Sequence, residues 1–197
     1  MALINSIEEA IIEEIDIKNE EFQGEIEKVN YEKIEFKNCK FKKCKIEGIL
    51  SNSSFTDCEF INCDFSNVKF EGADFVRCNI ESSKFSGAYF VEAGFYKSRI
   101  IESNFSFSNF SNGTLRETNF INVILNNGYF AECKFQKVSF SECELVVANF
   151  WNTKLNGMDF SNSNIEGIVL GIDSLKGLKV NELQALELSK LLGIIIK

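Results

Sequence analysis

The sequence predicts an all-β solenoid built from stacked five-residue repeats and followed by a C-terminal α-helix. Every fifth residue from 50 to 175 is apolar without exception, and these 26 positions hold 16 Phe, seven Leu and three Ile. The 197-residue chain has 20 Phe but no Pro and no His, a bias that indicates one repeated structural demand. Helices repeat about every 3.6 residues and strands every second residue, so neither explains a period of five.

A second inward position precedes each repeat centre by two residues and usually holds a small side chain, such as Ala73, Ser83 or Gly113. Every cysteine falls at this position, so we expect buried, reduced thiols that act as small hydrophobic side chains. These are Cys39, Cys44, Cys58, Cys63, Cys78, Cys133 and Cys143. One pentapeptide cannot bury its Phe alone. Coils stacked at the strand spacing of about 4.8 Å would build a continuous core.

The repeat changes register once. An earlier run of the same period, which includes Tyr31, Phe36 and Ile46, is one residue out of step with the run that starts at Leu50. The frame therefore shifts within residues 46–50, and we expect a local bulge or short loop there. The residues assigned to this loop are Glu47, Gly48, Ile49, Leu50, Ser51 and Asn52.

The N-terminal end departs from the repeat, because a solenoid needs caps over its open ends. Residues 1–25 are the predicted N-terminal cap of a single domain, and residues 26–175 form the predicted β-helix. Residues 6–15 are expected to be an amphipathic helix opened by a capping box of Ser6 and Glu9, or alternatively an irregular first coil.

The C-terminal end, residues 176–197, is the predicted helix and dimerisation segment. Asn181 and Gln184 form a capping box, and Gly193 ends the helix. The apolar residues here exceed what one coil end should cover, which predicts a symmetric homodimer. The predicted dimer residues are Leu183, Leu186, Leu191, Leu192, Ile194 and Ile195.

The composition argues against catalysis and against a metal or cofactor. Without His, the commonest general base and metal ligand is missing. The cysteines lie five or more residues apart, unlike zinc ligands, and no glycine-rich phosphate loop follows a strand. We therefore assign no catalytic, cofactor-binding or metal-binding residue. No signal segment or long apolar stretch is present, so a cytoplasmic protein is expected.

Between the two inward positions lies an Asp or Asn in several repeats. The motifs are CDF (63–65), ADF (73–75), SNF (103–105 and 108–110), ANF (148–150) and MDF (158–160). They resemble the pentapeptide-repeat family, whose consensus is A-(D/N)-(L/F)-X-X. The resemblance implies a right-handed quadrilateral parallel β-helix with four pentapeptides per coil and every central Phe or Leu pointing inward.

If four pentapeptides make a coil, residues twenty apart share a face. One face then carries the acidic stripe, which we define as Glu59, Glu81, Glu102, Glu142 and Asp159. The net charge is −8, and the one short basic run, Lys40, Lys42, Lys43 and Lys45, is interpreted as a solvated edge, so direct nucleic-acid binding is not expected. Charges that alternate between walls can also simply keep a long rod soluble, and that alternative stays open.

A second candidate surface is the aromatic strip, which we define as Tyr89, Tyr129 and Trp151, with Phe107 at the preceding corner. An exposed strip of this kind is a candidate contact surface. Aromatic residues also favour the outer surface of strands, so this feature has a purely structural alternative.

The C-terminal residues IEGIVLGIDSLKGLKVNELQALELSKLLGIIIK (165–197) resemble the Qnr-type quinolone-resistance branch of the family. FQGEIEKV (22–29) and FKNCKF (36–41) are similar to the opening of that branch. The resemblance implies a dimeric rod that mimics duplex DNA, binds DNA gyrase and topoisomerase IV, and relieves quinolone poisoning.

Under this interpretation the acidic stripe contacts the topoisomerase and residues 47–54 form a specificity loop. The alternative is a non-enzymatic scaffolding protein that binds another protein through the aromatic strip. Neither interpretation involves a membrane.

Overall fold

The computed structural model describes residues 3–24 and 26–195, which form stacked coils of short strands between two helical ends. The strands are β1 (Ile17–Lys18), β2 (Glu21–Gln23), β3 (Ile26–Asn30), β4 (Glu35–Lys37), β5 (Lys40–Lys42), β6 (Lys45–Ile49), β7 (Ser54–Thr56), β8 (Glu59–Ile61), β9 (Asp74–Val76), β10 (Asn79–Glu81), β11 (Gly94–Tyr96), β12 (Arg99–Ile101), β13 (Thr114–Arg116), β14 (Asn119–Ile121), β15 (Lys134–Gln136) and β16 (Ser139–Ser141). The helices are α1 (Leu3–Glu13) and α2 (Glu182–Ser189), with 3₁₀ helices at Ile172–Leu175 and Lys190–Leu192.

Strands from successive coils pair in parallel. One seven-stranded sheet has the order β1-β4-β7-β9-β11-β13-β15, and the other has the order β2-β5-β8-β10-β12-β14-β16. The two remaining sides begin with the β3–β6 pair and continue as isolated parallel bridges, because only single residues pair there. The predicted all-parallel β-solenoid is therefore confirmed. Among the described residues, no helix is long and apolar enough to cross a membrane.

We name the four sides by their inward centres. Face A is centred on residues 55, 75, 95, 115 and 135, face B on 60, 80, 100, 120 and 140, face C on 65, 85, 105, 125 and 145, and face D on 70, 90, 110, 130 and 150. Each face ends at an edge, and the edge residue follows the centre by two positions. The backbone turns there, and from residue 52 to residue 152 every edge residue has a positive φ.

The core is a set of aromatic stacks that follow the coil repeat. Phe110 lies between Phe90 and Phe130, with ring centroids 4.8 and 4.7 Å away and planes within 13° of parallel. Such near-parallel rings at this separation match offset stacking, which favours aromatic pairs beyond the burial of their area. Small polar residues at the second inward position donate hydrogen bonds to backbone carbonyl groups. The Ser108 hydroxyl, for example, donates to the Phe85 carbonyl at 2.6 Å. The central Phe pattern thus positions every outward residue.

The register shift comes from coil length. Ile17 pairs with Phe36 and Phe36 pairs with Phe55, so each of these coils advances 19 residues, whereas Phe55 pairs with Phe75, 20 residues on. Strand pairing already begins at Ile17, within the segment predicted as the cap.

The predicted loop at Glu47 to Asn52 is wrong. Strand β6 runs through this segment beside β3, and Leu50 and Ser51 are buried. Because the coil is one residue short, a continuous strand replaces the corner between faces C and D. Residues 47–54 therefore stay within the solenoid wall and offer no projecting loop.

The N-terminal cap is helical, but its predicted capping box of Ser6 and Glu9 is wrong. Helix α1 begins before Ser6, and the Ser6 hydroxyl donates to the Glu20 carboxylate at 2.7 Å. The Glu27 carboxylate in β3 instead accepts hydrogen bonds from the backbone N–H groups of Leu3 and Ile4 at 3.1 and 2.9 Å. A carboxylate at this position satisfies N-terminal donors and complements the helix dipole.

The C-terminal capping box is confirmed. The Asn181 side chain accepts from the Gln184 backbone N–H at 3.0 Å, and the Gln184 side chain accepts from the Asn181 N–H at 2.9 Å. The Gln184 amide also donates to the Phe160 and Ser163 carbonyls, which fixes α2 on the last coil. Gly193 ends the helical segment with a left-handed φ of 72°.

Candidate interaction surface

The acidic stripe does not form one row. Glu59 and Asp159 lie in the same column of face B, but the column between them holds Asn79, Arg99 and Asn119, then a serine. Five coils separate the two carboxylates, or about 24 Å at the strand spacing. The structure therefore places these two residues far apart along the rod.

The two end residues of the stripe also have local partners. The Glu59 carboxylate lies 3.1 Å from the Lys40 ammonium. Asp159 accepts from both the hydroxyl and the backbone N–H of Ser161, and the hydroxyl bond is the main cause that lowers the pKa of this carboxyl. These contacts use part of the charge and hydrogen-bonding capacity of each carboxylate, so less of it remains for a partner.

The other three residues of the stripe lie together at edge BC, the corner between faces B and C. Glu102 and Glu142 are edge residues two coils apart, and both are exposed. Glu81 lies in β10 next to this edge and is half-buried. Edge BC is therefore the acidic feature that the structure assembles from the predicted stripe.

A second acidic edge was missed by the sequence prediction. Glu92 and Glu132 are edge residues at DA, the corner between faces D and A, and they are also two coils apart and exposed. Edges BC and DA are diagonally opposite on the four-sided rod. Within the described part of the chain, none of these four edge glutamates is in an ion pair. The sequence does mark this edge: the residue two positions after each inward centre is an edge residue, and edge residues twenty apart lie on the same edge.

The edge glutamates occupy a backbone conformation that does not suit them. Glu92, Glu102, Glu132 and Glu142 have φ between 48° and 60°, where residues other than Gly, Asn and Asp are uncommon. At other coils the same edges hold Asn, Gly or Ser, for example Asn122. Residues that break a local rule without a structural gain mark candidate functional positions.

The remaining edges differ sharply from each other. Edge AB holds Asp57, Arg77, Lys97, Glu117 and Lys137, and Arg77 forms a bidentate pair with Asp57 at 2.6 and 2.7 Å. Face A is basic beside it, with exposed Arg116 and Lys134 and, one coil further on, exposed Lys154.

Edge CD, diagonally opposite AB, is uncharged. It holds Asn67, Gly87, Phe107, Asn127 and Val147. Phe107 and Val147 are 66% and 47% exposed.

The aromatic strip lies on face D, next to edge CD. Tyr89 and Tyr129 occupy one column of bridged residues with Asn109 between them, and both rings are exposed. Trp151 lies at the end of the same face and lines a groove of about 650 Å³ at the C-terminal end. Leu155, Ile172 and Leu191 also line the groove. The strip thus continues into the segment predicted to form the dimer.

The predicted dimer residues are exposed in the single chain. They are Leu183, Leu186, Leu191, Leu192, Ile194 and Ile195. Only Leu188 of helix α2 is buried. The apolar side chains of this segment are therefore available for a contact outside their own chain.

All seven cysteines are free and buried, as predicted. The Cys133 thiol donates to the Phe110 carbonyl at 3.0 Å, and burial raises the pKa of Cys133 to about 12. Burial likewise raises the pKa of Cys143 to about 11. Since the thiolate is the reactive form, these side chains act as core residues.

The geometry defines a class of protein: a four-sided solenoid whose edges, rather than a cleft, present its distinctive side chains. Three sequence families match the chain: the pentapeptide repeat region over residues 103–184, pentapeptide repeats of nine copies over 31–79, and pentapeptide repeats of eight copies over 73–116. The chain belongs to the pentapeptide-repeat family. No curated protein sequence matches it.

Two solved structures, both of QnrB1, show the same fold. Two trypsin-treated variants of QnrB1, a plasmid-mediated fluoroquinolone resistance protein, are 21% identical, with TM-scores of 0.53 and 0.54. Each alignment covers 92% of this chain and 99% of the other. A pentapeptide repeat protein from the thylakoid lumen of Arabidopsis thaliana is 16% identical over 46% of this chain and 63% of its own, with a TM-score of 0.44.

Proposed function

We propose that this protein is a non-enzymatic DNA mimic that occupies the DNA-binding surface of a type II topoisomerase, DNA gyrase or topoisomerase IV, and modulates quinolone action. The observation that carries the proposal is the pair of acidic edges, BC and DA, on opposite corners of a rod. A DNA duplex also presents two rows of negative charge along a rod. A groove lined with Lys and Arg would attract both.

The similarity to QnrB1 supports the proposal, since that protein is described as a fluoroquinolone resistance protein. In our proposal Glu102 and Glu142, with Glu92 and Glu132, make the principal charged contacts. Glu81 adds to edge BC, and Glu59 and Asp159 extend the charge toward the two ends of the rod.

The proposed assembly is a cytoplasmic homodimer joined through the C-terminal segment. The exposed leucine and isoleucine side chains of that segment would be removed from water in a symmetric contact. Such a dimer would place two rods end to end and double the length of the charged edges.

The test is a gyrase supercoiling assay, with and without a fluoroquinolone, across a titration of this protein. The wild type should inhibit supercoiling or restore it in the presence of the drug. Glu102→Lys should raise the concentration required by about tenfold, because a repulsive charge replaces an attractive one.

Glu117→Lys is the control for the same substitution on edge AB, where Glu117 has the same left-handed conformation and lies 3.5 Å from the Arg116 guanidinium. It should act like the wild type. No effect of the wild type on gyrase or topoisomerase IV at any concentration would contradict the proposed function, and equal losses in both variants would contradict the assignment of edge BC.

A second candidate function is protein scaffolding through the aromatic strip, which the exposure of Tyr89, Tyr129 and Trp151 favours. Ionic strength separates the two functions. A charge-driven DNA mimic loses affinity steeply as salt rises, whereas a contact made by aromatic rings alone does not.

A further inference from the structure

Two apolar residues on edge CD have a conformation that their own chemistry disfavours. Phe107 and Val147 have φ of 61° and 58°. For a bulky or β-branched residue this left-handed conformation is a true outlier, and it costs on the order of 1–3 kcal/mol. Their neighbours along the edge, Gly87 and Asn127, are residue types that the conformation favours.

Packing within the chain does not explain these two residues. The side chains are 66% and 47% exposed, so neither contributes a buried group to the core. Each therefore combines an unfavourable backbone conformation with an apolar side chain in water. Strain that persists without a gain inside the fold indicates a contact outside it.

The surroundings of Phe107 are free of charge, whereas Val147 lies near Glu144 of its own coil and Glu166 of the next coil. Residues 103–115, 118–131 and 145–153 contain no Asp, Glu, Lys or Arg. The outward side chains nearest to edge CD on face D are Asn109, Tyr129 and Asn149. The middle of the rod thus offers apolar rings and amides along edge CD, although the other three edges carry charge.

Both faces that meet at edge CD are bounded by an acidic edge. Face C begins at edge BC, with Glu102 and Glu142, and face D ends at edge DA, with Glu92 and Glu132. A partner that approaches edge CD therefore meets a central apolar ridge between two rows of carboxylates. Protein interfaces have this arrangement, with apolar anchors at the centre and charged residues around them.

We propose that the partner groove holds the rod by faces C and D, with cationic side chains on both walls and an uncharged apolar floor that receives Phe107 and Val147. This inference rests on the proposed function, since it names how the same partner is recognised. The two anchors are two coils apart, or about 10 Å at the strand spacing. Face B, which the acidic stripe suggested, lies to one side of this contact.

The test replaces each anchor by Asn, the residue that the turn conformation favours. Phe107→Asn and Val147→Asn remove the apolar contact and relieve the backbone strain, so the fold should be kept or stabilised. We expect affinity for gyrase holoenzyme, measured by titration calorimetry, to fall roughly 30-fold for each, the loss typical of a central anchor. The slope of log affinity against log salt should stay as in the wild type.

Lys97→Asn is the matched control, because it has the same conformation on edge AB, with a φ of 51°. It should bind like the wild type. Normal binding by both anchor variants, alongside weak binding by Glu102→Lys, would overturn the anchor inference and leave the proposed function standing.

Equal losses in all three Asn variants would also overturn the inference, because they would indicate a general effect. Failure of the wild type to bind either topoisomerase would overturn both proposals.

Discussion

Gly48 pairs with Val29 in the neighbouring coil, and a β-carbon on Gly48 would lie 2.0 Å from the Val29 carbonyl oxygen. This close approach occurs where the 19-residue coil runs straight through a corner. The φ of Gly48 is 113°, which only glycine adopts readily. One missing residue thus produces both the register shift and the need for glycine.

We expect Gly48→Ala to lower the free energy of unfolding by about 3 kcal/mol, since the new methyl group collides with the backbone and the conformation is strained. Urea denaturation measures this change. Gly24→Ala is the control, because Gly24 has a φ of 144° but no atom within 4 Å of the added β-carbon. The free energy of unfolding of Gly24→Ala should fall by about 1 kcal/mol, through backbone strain alone. Equal losses of stability in Gly48→Ala and Gly24→Ala would show that the backbone around Val29 moves and relieves the clash.

The repeat could be predicted from sequence because it recurs at many positions. Residues such as Phe55 and Phe75 repeat one environment, so the period and the inward side chains are specified many times over. The helix stop at Gly193 and the capping box of Asn181 and Gln184 were predicted because all their contacts are local.

Features that depend on a single distant contact could not be predicted. Glu27 caps a helix that begins 24 residues earlier in the chain, and no local pattern marks that contact. At Gly48 the sequence shows only that one residue is missing, which fits a loop or a strand equally well. The fold of the neighbouring coil decides between them.

The candidate surface was predicted in part. Intervals of twenty placed Glu59 and Asp159 on one face correctly, but a face is a poor description of charge on a four-sided rod. The edge residues project at corners, so Glu102 belongs with both adjoining faces. Glu92 and Glu132 lie outside the predicted stripe because a division into faces assigns them to a different side of the rod from Glu102 and Glu142.

The stability lost on acidification should depend in part on Asp16. Hydrogen bonds from Lys37 and Lys18, at 2.6 and 3.0 Å, lower the pKa of Asp16 to about 2. A depressed pKa in the folded state contributes stability above the ordinary carboxyl pKa, and this contribution is lost as the pH falls toward 2. Asp16→Asn should therefore lower the melting temperature at pH 7, and the difference should fade between about pH 4 and pH 2.

Asp74 provides a control of opposite sign, because burial raises the pKa of its carboxyl. A raised pKa gives stability that is present at low pH and lost as the pH rises through the folded-state value. Asp74→Asn should therefore raise the melting temperature at pH 7 and have little effect in acid. The same direction of change in both variants at pH 7 would contradict these assignments.

Edge glutamates should show a trade-off between stability and binding. Glu102 and Glu132 have φ of 48° and 60°, a conformation that Asn adopts at lower cost. Glu102→Asn and Glu132→Asn should each raise the free energy of unfolding by about 0.5–1 kcal/mol in urea denaturation. Each should also weaken binding to gyrase and reduce its salt dependence, since a carboxylate is lost from a charged edge.

Glu117→Asn separates the two effects. Glu117 has a φ of 53° on edge AB, so Asn should stabilise it in the same way but leave binding unchanged. If all three variants gain stability and only Glu102→Asn and Glu132→Asn lose affinity, strained carboxylates on edges BC and DA are retained for the partner. If Glu132→Asn binds as the wild type does, edge DA makes no contact and the partner holds one acidic edge only.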